Sequence, residues 1–185
     1  MKKLRSILKW ALLIWGAISL IGILILLCST AYYGFGPGNS DKIGKASEKD
    51  VRFVLNWCRL GDARIEKVLH SHESARSFTG DHLDAYAIKV KNLTISDLKN
   101  PESDFDGGWI RCDKLDPIIS GAVKLVSGFA KSDQLDWFPQ ESDLLSDRYY
   151  IWIWSIGLQG RRPGSAKIIF AHPESGVLYY SSVKI

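Results

Sequence analysis

The sequence predicts an α+β fold: one N-terminal transmembrane helix followed by a small domain with a mainly antiparallel sheet and two helices. Three observations lead there. A charge-free apolar run fills residues 10–31, two helical periodicities start at the capping residues Ser47 and Asp116, and several later segments are rich in β-branched and aromatic residues. The 185 residues suffice for one domain, and 46% apolar with 24% charged residues is an ordinary globular mixture.

The apolar run comes first. Its 22 residues, dominated by Leu and Ile, span about 33 Å as a helix, enough to cross a bilayer core. Lys2, Lys3, Arg5 and Lys9 all precede it, and the first acidic residue, Asp41, lies well beyond it. The positive-inside tendency therefore places residues 1–9 in the cytoplasm as a basic tail and the chain after residue 31 on the other side of the cell membrane. Trp10, Tyr32, Tyr33 and Phe35 suit interfacial anchoring. Two rival leaders share that export. Ser29 and Ala31 would suit signal cleavage before Tyr32, but the apolar stretch exceeds the roughly 7–15 residues of a signal peptide. Lipidation at Cys28 wants a small residue before it, and Leu27 is large. A single-pass signal anchor fits best.

Those four basic residues account for the whole net charge of +4, so the rest of the chain is neutral. A neutral domain offers no basic stripe for nucleic acid. Cys58 and Cys112 form the only cysteine pair beyond the apolar run, and an oxidising compartment favours a disulfide between them over two buried thiols. Closing that loop would stabilise the fold by roughly 4 kcal/mol on the chain-entropy account.

Residues 32–46, with Gly34, Gly36, Pro37, Gly38, Asn39, Ser40 and Gly44, read as a spacer, which leaves 47–185 as the extracytoplasmic domain. Ser47, with Asp50 three residues on, opens an amphipathic helix that carries Val51, Val54, Leu55 and Cys58, and Gly61 suits its left-handed end. Residues 64–72 and 85–90 alternate as a hairpin. Asp116 and Pro117 open a second helix, whose apolar stretch is too short to cross a membrane. Residues 149–156 read as a central strand buried on both faces, residues 157–164 as a loop, and 167–171 and 177–183 as two strands joined through His172, Pro173 and Gly176. The helices are expected on one face of the sheet.

The strongest chemical cluster is His70, His72, Asp81, His82 and Asp84. Two imidazoles on one face of a strand, with His82 and Asp84 returning across a hairpin, could hold zinc and leave an open position for water. A separate alternative is acid-base work by one of these histidines with Ser77 or Thr79 as nucleophile. Without a recognised ligand spacing, a polar hairpin is the simpler reading. The run Asp104, Phe105, Asp106, Gly107 begins like a calcium loop, but Leu115 occupies the place of its bidentate acid. Asn92, Leu93 and Thr94 form a glycosylation sequon. Trp109, Trp137, Phe138, Trp152, Trp154, Tyr179 and Tyr180 could line a groove for a peptide or a sugar, and of these the pair Trp152 and Trp154 is the candidate binding surface, since an incompletely covered strand would leave an apolar patch.

With no nucleophile motif, phosphate loop or metal signature, the expected function is binding, as a membrane-anchored accessory module for another envelope protein, with no cofactor. The alternatives are a membrane-tethered metal-dependent hydrolase centred on the hairpin histidines, or an immunity-type protective protein.

Overall fold

The computed structural model describes residues 2–35, 39–77, 79–99 and 108–185, in two compact units, 1–40 and 41–185. The first is a single helix, α1 (Lys2–Phe35). Its stretch Lys9–Tyr32 is long and apolar enough to cross a membrane, and none of it is buried by protein. Leu and Ile exposed all round a helix have no place in water.

The second unit is an α+β domain built on one seven-stranded antiparallel sheet. Its strands are β1 (Lys42–Ile43), β2 (Ile65–Glu73), β3 (His82–Val90), β4 (Ile110–Arg111), β5 (Tyr150–Gln159), β6 (Arg162–His172) and β7 (Val177–Lys184), in the spatial order β1-β2-β3-β7-β6-β5-β4. The helices are α2 (Glu48–Trp57), α3 (Pro117–Ser132) and the single turn α4 (Glu141–Leu144). β1 lies within the stretch expected as spacer, and its Lys42 and Ile43 pair with Glu73 and His72 of β2.

Both long helices start where their caps say. Asp50 Oδ2 accepts hydrogen bonds from the Ser47 backbone N–H and hydroxyl, each at 2.7 Å, which holds its carboxyl below the usual carboxylate range. Asp116 Oδ1 accepts from the N–H groups of Ile118 and Ile119 at 2.8 and 2.9 Å, with Pro117 in the first turn where no donor is needed. α2 ends at Trp57, and the left-handed position that follows is taken by Arg59 at φ 60 as well as by Gly61 at φ 79.

The helices take opposite faces of the sheet, not one. Val51, Val54 and Leu55 of α2 pack against Ile88, Trp152, Ile169 and Leu178. Ala122, Val123 and Val126 of α3 pack against Ala85, Ile151, Ile168 and Phe170 on the other side. Strand alternation explains the division: Ile168 and Phe170 face α3 while Ile169 and Ala171, between and beyond them, face α2. Strands buried on both faces lack polar alternation, so the sequence pattern alone could not say how many layers cover them.

Residues 157–164, expected as a loop, mostly continue a long β5–β6 hairpin that turns at Gly160 and Arg161. Gly157 and Gly164 are there for closeness. A Cβ on Gly157 would lie 2.3 Å from Ser165 Oγ, and one on Gly164 would lie 2.5 Å from Gln159 Cγ. The strand over residues 149–156 is also not central: β7 holds the middle, and among the described residues only the two-residue β4 stands beyond β5.

Phe170, with 0% exposure, and Leu158, with 52%, give the fold a matched test. Phe170→Ala is expected to destabilise the full chain in micelles by about 3–5 kcal/mol and Leu158→Ala by less than about 1, read by denaturant unfolding followed through tryptophan fluorescence.

Candidate functional site

The four candidate zinc ligands divide between the two faces of the sheet. His70 and His72 point to the α3 side, where the His70 ring stacks on Trp137 at 5.2 Å and His72 Nε2 lies 3.2 Å from Asp133 Oδ2. On β3, Leu83 and Ala85 face α3, so His82 and Asp84 face the α2 side with Tyr86. There His82 Nδ1 donates to the Gly80 carbonyl at 2.8 Å, His82 Nε2 lies 3.2 Å from Ser182 Oγ, and Asp84 Oδ2 accepts from Arg76 Nη2 at 2.6 Å. The sheet separates the two pairs. Among the described residues no three His, Cys, Asp or Glu side chains come together as a metal set. The hairpin expectation erred because antiparallel pairing sets His72 opposite Ala85 and Glu73 opposite Asp84, so the ligands alternate in face instead of converging. Ser77, Thr79 and Asp81 bond to one another in the β2–β3 turn. The calcium-like run at 104–107 lies outside the described residues.

The disulfide is likewise not formed. Cys58 and Cys112 are free thiols, each 2% exposed, in the core clusters on opposite faces of the sheet. Spacing along the chain carried no information about face. Burial pushes both thiols up to about 12, which makes them inert small hydrophobes.

His172, which the sequence places in the connection between the last two strands, takes part in closing the β6–β7 turn. Its Nδ1 lies 2.7 Å from Ser175 Oγ, its ring leans on Tyr149 at 4.7 Å, and Lys89 Nζ donates to the Ser175 carbonyl at 2.6 Å. Burial lowers its pKa, so it stays neutral and holds the turn. A surface hollow of about 790 Å³ beside the C-terminal end of α3 is lined by Lys131, Gln134, Phe138 and Glu141 and contains neither histidine nor cysteine.

The side chains that do gather are aromatic. Trp152 is 5% exposed, covered by Trp109 at 5.7 Å and by the Arg59 guanidinium 5.9 Å from its ring centre. Arg59 reaches that place from the left-handed position after α2, a conformation that costs a non-glycine residue roughly 1 kcal/mol. Trp154 is 50% exposed and lies flat on Trp57, 4.4 Å apart and 9° from parallel. Behind Trp57 the contacts continue through Phe53 at 4.6 Å to Tyr180 at 5.2 Å, which stacks on Tyr86 at 5.6 Å. So the two tryptophans named from the sequence have different roles: Trp152 is core, and Trp154 is surface.

Trp154 occupies an irregularity in the ladder. Ile153 pairs with Ile168 and Ser155 with Lys167, leaving Trp154 as the extra residue that turns onto Trp57. β4 pairs only with Tyr150 and Ile151, so among the described residues the outer edge of β5 from residue 152 onward meets no strand. This aromatic arrangement can stack and it can pair backbone. Trp57 was legible only as a helix residue, and its partnership with Trp154 is a long-range contact that no local pattern encodes. Comparison with protein families, with curated proteins and with solved structures returns no match.

The buried neutral groups set an alkaline limit. Tyr149 and Tyr180 are pushed up to about 12 by burial, as are the two thiols, whose ordinary value is 9.0. All four keep their protons when folded and lose them more readily when unfolded, so stability is full below about pH 9 and falls as pH rises toward 12. Denaturation midpoints should drop between pH 8 and pH 11. At pH 8 Cys58 and Cys112 should resist alkylation in the native chain and react after denaturation without reductant; a bonded pair would stay unlabelled until reductant is added.

Proposed function

We propose that this chain is a single-pass membrane protein with a cytoplasmic N-terminus, and that its extracytoplasmic domain binds another envelope protein through the β5 edge. The observation that carries this reading is the half-exposed Trp154, stacked on Trp57 beside an unpaired strand edge. An aromatic face next to open backbone donors and acceptors is suited to protein recognition. Orientation rests on Lys2, Lys3, Arg5 and Lys9, all on the N-terminal side of the apolar stretch. The metal-dependent hydrolase is the weaker reading, because its ligands would have to act through the sheet.

A photo-crosslinking amino acid placed at Trp154 in native membranes should yield a discrete protein adduct, and the same group at Lys67 should not. A periplasmic-type reporter enzyme fused after Ile185 should be active. Adducts of equal yield from both positions, or a reporter active only in the cytoplasm, would contradict the proposal.

A further inference from the structure

The sheet ends in the two-residue strands β1 and β4, which leave most of the outer edges of β2 and β5 without a neighbour among the described residues, and those two edges differ in chemistry. β2, only partly covered by β1, exposes Glu66 and Lys67, and charges on an edge keep foreign strands away. β5 has no charged residue anywhere from Tyr150 to Gln159. Its exposed end has apolar side chains on both faces, Trp154 toward α2 and Ile153 and Ile156 toward α3. At the end of this uncharged strand stand Arg161 and Arg162, both exposed and with no ion pair among the described residues.

Taking the β5 edge as the binding site proposed above, we propose that its occupant is an extended segment of a partner protein, which adds to the sheet as a further strand beyond β5, apolar on both faces and with carboxylates at the end that meets Arg161 and Arg162. Backbone pairing gives such a complex its affinity, and side chains on alternate sides give it selectivity. Charge decides among occupants. The β5 strand of a second copy has no carboxylate to offer the two arginines. A lipid surface could meet the arginines but has no strand backbone to pair with the edge.

The test uses the full chain in detergent micelles and a labelled peptide of about ten residues, valine and isoleucine throughout so that both faces are apolar, with two aspartates at either end. Fluorescence anisotropy should show saturable binding, weakened about tenfold or more when the aspartates become lysines and abolished when alternate peptide nitrogens are methylated. Arg161→Glu together with Arg162→Glu should reverse the charge preference without altering the unfolding midpoint. Equal binding of the methylated peptide, or a charge preference that survives the double substitution, would overturn strand addition. So would a photo-adduct from position 154 made only of two copies of this chain or of lipid. If no peptide binds but the adduct with another protein forms, strand addition fails and the binding reading stands; if neither appears, both fail.

Discussion

The domain depends on one constraint: its inner strands are buried on both faces at once. Ile168 and Phe170 of β6 lie under α3, Ile169 and Ala171 under α2, and all four are fully buried. The two isoleucines and the phenylalanine each contribute roughly 1.5–3 kcal/mol through burial, so neither helix can be lifted without exposing the middle of the sheet. With both faces taken, what remains for recognition is the perimeter. The sheet perimeter is guarded by Glu66 and Lys67 at the β2 side and, among the described residues, bare at the β5 side from residue 152 onward.

Trp57 links that core to that edge. Its neighbours on α2, Val54 and Leu55, anchor the helix on the sheet, while its own ring forms the floor on which Trp154 rests. The order helix, irregularity in β5, stacked pair is therefore a single structural unit. Arg59 completes it from a strained backbone position, with its guanidinium over Trp152. Strain held at a place where side chains are aimed outward is a common property of functional surfaces.

What the sequence made legible was local. Ser47 with Asp50 and Asp116 with Pro117 fix helix starts through bonds between residues at most three apart, and the His172 to Gly176 turn closes through the Gly176 N–H to the Pro173 carbonyl at 3.1 Å. The α+β class followed from those pieces. Long-range order did not. Nothing in the run of residues 149–156 distinguishes a central strand from one beside the edge, because Trp57 and α2 cover one end of it and leave the other open. Face was equally hidden: the histidines of β2 and the ligands of β3, like Cys58 and Cys112, are near in sequence logic and on opposite sides in space. Residues 157–164 misled because glycine marks turns and also marks close strand approach, and only Ser165 and Gln159, seen across the hairpin, tell which.

Recognition at the β5 edge requires that edge to be open. Amide hydrogen exchange on the full chain in micelles, resolved by residue, tests it most directly. On this account β7 amides exchange only with global unfolding, while alternate amides of residues 152–159 exchange at rates close to those of solvent-exposed backbone. Protection across residues 152–159 equal to that of β7 would mean the edge is already covered, and the binding surface described above would not exist.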